Sequence, residues 1–124
     1  MAVQPRDVVE QYVKLVATGP TEDIVALYAA DAVVEDPIGS EPRHGHDKIR
    51  ELYTALESAQ ERQTELHTVK VNGKHAAVSF TLISTFNGQQ MTLAPMDIME
   101  FDDEGKIVSM RAYWGPEDLK MDKI

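Results

Sequence analysis

Residues 75–114, HAAVSFTLISTFNGQQMTLAPMDIMEFDDEGKIVSMRAYW, decide the fold. Two turn signals punctuate this run, Asn87-Gly88 and Asp102-Asp103-Glu104-Gly105, and Asn-Gly between alternating segments is a strong hairpin signal. A two-residue loop at Asn87-Gly88 sets Phe86 opposite Gln89, so Leu82 faces Leu93, Phe80 faces Pro95 and Val78 faces Asp97. A four-residue turn at 102–105 sets Phe101 opposite Lys106, hence Met99 by Val108, Asp97 by Met110 and Leu93 by Trp114. Paired side chains share a face. The result is one apolar face of Val78, Phe80, Leu82, Met91, Leu93, Met99, Phe101, Val108, Met110, Ala112 and Trp114. Asp97 is in phase with them. A slip of one residue would turn the whole set outward, so the register is well specified, with a bulge near Pro95 as the open point.

Outward from this run, Asn72-Gly73 marks an earlier hairpin, and the strand-like period begins near Thr64. The first half has a helical period instead. Pro5 opens a helix carrying Val8, Val9, Tyr12, Val13, Leu15 and Val16, and Thr18-Gly19-Pro20 stops it. Thr21 reads as the N-cap of a second helix with Ile24, Leu27 and Tyr28 on one side. A short strand from Ala32 to Asp36 ends at Pro37 and the loop IGSEPRHG. Ile49, Leu52, Tyr53 and Leu56 form the inner stripe of a third helix. Helices followed by an antiparallel meander predict one α+β domain over residues 1–124, a curved antiparallel sheet with three helices over one face.

Composition narrows the function. The net charge of −9, from 21 acids against 12 bases, disfavours nucleic acid and anionic membranes as partners. The chain has no cysteine, which removes thiolate catalysis and zinc–thiolate sites. No apolar run reaches signal-peptide or membrane-span length, so a cytoplasmic location is expected.

Asp97 in an apolar stripe, with no basic partner in phase, is expected to have a raised pKa, because burial penalises the charged form. Such an acid either donates a hydrogen bond as a neutral group or is a structural acid satisfied by backbone donors. Asp36 ends an apolar strand in phase with Ala32 and Val34, held extended by Pro37, and Asp-Pro is also a common strand exit. Two carboxylates facing one apolar cavity are the ingredients of an acid–base pair. Tyr12, Tyr28 and Tyr53 fall on the inner faces of the helices. Their hydroxyls either bond one another in a chain or reach water separately. His44-x-His46 lacks a third ligand, and His67 and His75 flank a hairpin, so no metal is expected.

The run LYAADAVVEDPIGSEPRHG, with QYV upstream, ELY between and LAPMDIMEFDDEGKIVSMRAYWG downstream, resembles bacterial steroid Δ5-isomerases, the 3-ketosteroid isomerases. The resemblance covers nearly the whole chain. It implies the cone-shaped α+β fold of the nuclear transport factor two-like superfamily, a homodimer, no cofactor and a small apolar steroid as substrate. It places the general base on Asp36, the oxyanion-hole tyrosine on Tyr12 and the protonated aspartic acid on Asp97. Tyr28 and Tyr53 fall on the supporting tyrosines, and Trp114 on an apolar steroid contact. Met110, Leu52, Phe80 and Leu93 complete the expected substrate contacts. Leu52 departs from the family, which often has phenylalanine there, and this bears on pocket shape. The opposite sheet face, with Thr81, Ile83, Ala94, Met96, Ile98, Tyr113 and Arg111, is the expected dimer surface. Rival readings are a polyketide cyclase-like enzyme of the same fold and a non-catalytic carrier of an apolar ligand.

Overall fold

The computed structural model describes residues 3–124; Met1 and Ala2, the start of the expected domain, lie outside the described residues. The elements run α1 (Pro5–Thr18), α2 (Thr21–Val25), β1 (Tyr28–Glu35), β2 (Arg43–His44) and α3 (Gly45–Thr54), which ends in a 3-10 turn, Ala55–Ser58. The remaining strands are β3 (Glu61–Asn72), β4 (His75–Phe86), β5 (Gln89–Leu93), β6 (Met96–Phe101), β7 (Ile107–Tyr113) and β8 (Leu119–Lys123). They form one curved, unclosed sheet of eight strands in the order β2-β1-β7-β6-β4-β5-β8, with β3 on the other side of β4. No helix among the described residues is long and apolar enough to cross a membrane.

β4 is the spine. Asn87 and Gly88 both take positive φ, 44° and 80°, as a tight hairpin of this hand requires. The register that follows is the expected one, with Phe86 opposite Gln89 and Leu82 opposite Leu93. Ladder pairing lapses at Ala94 and Pro95, where proline has no N–H to offer, and resumes unshifted with Val78 opposite Asp97. Pro95 therefore interrupts the ladder without bulging it.

A bulge does occur in the next ladder. Between Glu100 and Phe101 the β6–β7 pairing slips, so Phe101 pairs with Ile107 while Met99 pairs with Met110 and Asp97 with Ala112. Val108 is the extra residue. The expectations of Val108 on the inner face, Met99 by Val108 and Asp97 by Met110 are corrected accordingly. Ile107 is the fully buried residue instead. The turn accounts for one residue of the two-residue shift, since the Asp102 N–H donates to the Lys106 carbonyl and Asp102 Oδ1 accepts from the Glu104 and Lys106 N–H groups, closing a three-residue loop; the bulge adds the other.

The helical half differs in two places. α2 begins with Thr21 as its first helical residue, Pro20 standing at the N-cap, and the Thr21 hydroxyl is buried with no partner among the described residues. Tyr28 is the first residue of β1, not part of a helix. The Leu27 carbonyl accepts from the Ile107 N–H, and β1 then runs parallel to β7, so pairing across the sheet overrides the helical propensity of ALYAA. The sheet is thereby mixed, one parallel pair joining the antiparallel meander. β8, pairing with β5, was not read from the sequence.

α1 buries Val8, Val9, Tyr12, Val13 and Val16 against β3 and β4. Each valine so buried contributes about 1.5–3 kcal/mol relative to exposure. Polar bonds fix its position: Thr64 Oγ1 donates to the Val13 carbonyl at 2.9 Å, and Arg62 donates to the Val16 and Gly19 carbonyls, each at 3.1 Å. The Arg62 fork thus satisfies carbonyls that the end of a helix leaves free. These bonds hold Tyr12 over the sheet.

Candidate active site

A partly enclosed cavity of about 240 Å³ lies between the helices and the inner sheet face. Tyr12, Asp36, Tyr53, Asp97 and Trp114 bring its polar atoms. Val16, Leu52, Leu56, Phe80, Leu82, Met91, Leu93, Pro95 and Leu119 supply the rest of the wall.

Asp97 is 2% exposed and faces inward from the second residue of β6. Its Oδ1 has no hydrogen-bond partner among the described residues. Burial pushes its carboxyl well above the usual carboxylate range and the charge of Asp36 pushes in the same direction, while the neighbouring Tyr12 hydroxyl pulls back. These surroundings favour the neutral form, a carboxyl that can donate.

Asp36 leaves β1 at the cavity and is only partly buried. Burial raises its pKa, and two groups oppose this: the Trp114 indole, which donates to Asp36 Oδ1 at 2.8 Å, and then the Arg43 guanidinium. An N–H bond to the ionised form favours that form and also fixes the carboxylate's orientation.

The three phenols form a chain. The Tyr28 and Tyr53 hydroxyls are 2.6 Å apart, and those of Tyr53 and Tyr12 2.9 Å. Burial raises all three pKa values well above 10.0, so each remains a protonated donor. A hydroxyl that accepts from its neighbour becomes a better donor itself. If Tyr28 donates to Tyr53 and Tyr53 to Tyr12, the Tyr12 proton is left for a cavity ligand. The Tyr12 ring is held edge-on against Phe80, with centroids 6.3 Å apart.

The structure thus brings Asp36, Tyr12, Asp97, Tyr53, Trp114, Leu52, Phe80 and Leu93 to one cavity, with Tyr28 buried behind Tyr53. Met110 does not line it. That residue pairs with Met99, one step deeper than Asp97, and packs in the core. Leu119 was missed because β8 was missed, though Leu119 and Met121 alternate with charged residues. Sequence spacing puts Val16 and Leu56 on helix faces and Pro95 opposite Phe80 at a suspected bulge, and only the fold shows that all three reach the cavity. Among the described residues no cluster of three potential metal ligands occurs.

A carboxylate, a neutral carboxylic acid and a phenol around an apolar space can move a proton and hold the negative charge that results. The family described as SnoaL-like domain matches residues 9–110. The chain belongs to the SnoaL-like family. It is also 41% identical to the steroid Delta-isomerase of Nocardioides simplex over 96% of both proteins. It is 30% identical to the epoxide hydrolase LasB of Streptomyces lasalocidi over 83% of this chain but only 44% of that protein. The solved structure of SalBIII, an epoxide hydrolase/cyclase-like enzyme of pyran ring formation in the polyether salinomycin, has TM-score 0.85 and 29% identity over 93% of each chain. The SnoaL-like chain thus has the expected nuclear transport factor two-like fold and is a homologue of steroid Delta-isomerase.

Proposed function

We propose that the protein is a steroid Δ5-isomerase that converts 3-oxo-Δ5-steroids to 3-oxo-Δ4-steroids. Asp36 takes a proton from C4, leaving a dienolate with its charge on the C3 oxygen. Tyr12 and neutral Asp97 donate hydrogen bonds to that oxygen as the charge develops, which is where preorganised donors lower a barrier. Asp36 then returns the proton to C6, the double bond moves into conjugation, and the carboxylate is regenerated. The pair of inward carboxyls with opposed environments beside the terminal phenol carries this reading, and the relationship to steroid Delta-isomerase supports it.

Mixing 5-androstene-3,17-dione with chelator-treated protein should raise the absorbance of the conjugated enone, with label leaving C4 and partly returning at C6. No enone, or activity that disappears with metal removal, overturns the scheme.

A second reading draws on the likeness to LasB and SalBIII. The same pair would protonate an epoxide oxygen through Asp97 and take the proton of an attacking hydroxyl through Asp36. Turnover of a hydroxy-epoxide without enone formation selects it, and binding of an apolar ligand without turnover selects a carrier. The proposal includes a homodimer across the outer sheet face, where Met96 and Tyr113 are 50% and 43% exposed. Sedimentation at micromolar concentration tests it.

A further inference from the structure

Accepting a proton requires Asp36 to be a carboxylate, in a place where burial opposes the charge. The Trp114 bond offsets part of this from inside the cavity. A second contribution comes from outside. β2 pairs with β1 so that Arg43 lies opposite Val34, two residues before Asp36 and on the same side of the strand by alternation. The Arg43 guanidinium is held rather than free: Nη1 donates to the Lys48 carbonyl at 3.1 Å and stands 3.7 Å from Glu51 Oε1. Glu51 Oε2 is in turn 3.6 Å from Lys48 Nζ. This places a fixed cation beside the exit of β1, with an acid behind it.

The other groups around Asp36 do not take that part. Asp97 on β6 and Tyr12 on α1 are neutral acids facing it across the cavity. Glu35 precedes it on the opposite alternation and accepts from the Gly39 N–H at 2.7 Å. His44 follows Arg43 on the opposite alternation, and Lys48 lies beyond Arg43, against Glu51. We propose that Arg43 is a positioning residue for the base, keeping Asp36 ionised from outside the cavity, with Glu51 setting how much of its charge the carboxylate feels. This rests on reading Asp36 as the base, and the direction in which Arg43 acts on the Asp36 carboxyl agrees with it.

Trp114 is the chain's single tryptophan, and its N–H donates to Asp36, so its one indole ¹H–¹⁵N resonance reports the protonation of that carboxyl without any substrate. Arg43→Gln should move the midpoint of the indole titration to higher pH, and Arg43→Lys should leave it near wild type. Glu51→Gln should move it to lower pH, by releasing Arg43 from its counter-charge. Added salt should shrink the difference between wild type and Arg43→Gln, as screening requires. The acid limb of kcat/KM should follow the same order. An indole that does not titrate, an unmoved midpoint in Arg43→Gln, or shifts of the same sign in Arg43→Gln and Glu51→Gln overturn the proposal. Should Arg43→Gln fail to fold, the Glu51 variant decides, since that side chain is 60% exposed. The indole shifts stand without enzymatic turnover, so a failure of the isomerase reading is seen separately, as no enone.

Discussion

Asp36 and Asp97 carry the same carboxyl group into one cavity from different backbones. Asp97 sits within β6, paired with Val78 and Ala112 on either side, and neither neighbour has a polar side chain to offer. Asp36 stands where β1 has ended, partly wet, with an indole N–H on one oxygen and a cation nearby. Burial dominates both, but for Asp36 two groups work against it and for Asp97 only the Tyr12 hydroxyl does. The two carboxyls are therefore set apart by position in the fold, not by residue type, and the proposed roles of donor and acceptor rest on that difference.

The largest test removes the acceptor. Asp36→Asn should lower kcat by roughly 10²–10⁴-fold, the usual scale for a positioned base. It should keep or improve the affinity for a phenolic steroid such as equilenin, because the amide imitates the protonated base of the intermediate. Fluorescence titration measures this, and much weaker phenol binding would exchange the two roles. Removing a donor is the next step down. Asp97→Ala and Tyr12→Phe should each cost roughly 10²–10³-fold in kcat, with phenol binding weakened in the same variants. Tyr53→Phe should cost less and Tyr28→Phe least, each acting only through the next hydroxyl. Equal losses in all three tyrosines would mean that Tyr12 is not the end of the chain.

The smallest effect is on stability. The folded protein holds Asp97 protonated at pH values where the unfolded chain has released that proton. Stability therefore falls as pH rises between the unfolded and folded pKa values, by up to about 1.4 kcal/mol per pH unit. Below that window the group is neutral in both states and contributes no slope. Asp97→Asn, neutral throughout, should flatten this dependence and raise Tm at neutral pH while lowering turnover. Thermal melts from pH 4 to 8 would show it; an unchanged slope would mean that Asp97 is ionised in the fold.

The sheet was legible where alternation and turn chemistry agree, and the cavity was legible with it. Asn87-Gly88 fixes the β4–β5 register, and that register alone puts Asp97 opposite Val78. The Val108 bulge was not legible, because Ile107 and Val108 are equally apolar and alternation alone does not choose between them. Met110 was misplaced for that reason. Tyr28 reads as helical by spacing and becomes a strand residue only through a partner, Ile107, nearly eighty positions away. Its inward hydroxyl survives the change, since both periods bury that side of the chain. Arg43 lies in a polar loop by composition, and only the β1–β2 pairing brings it toward Asp36.

The long, unbroken β4 has a consequence for redesign. It carries Val78 at the level of the acid–base pair and Leu82 at the level of Leu93, four residues farther along. At about 3.3 Å per residue the two levels are about 13 Å apart, beyond the range in which substitutions usually couple. Recutting the wall at Leu82, Leu93 and Leu119 for bulkier ligands should therefore combine additively with changes at Asp97, whereas Tyr12, packed on Phe80 between the two levels, is near enough to couple. The far end of the wall is in this respect adjustable apart from the acid at its other end.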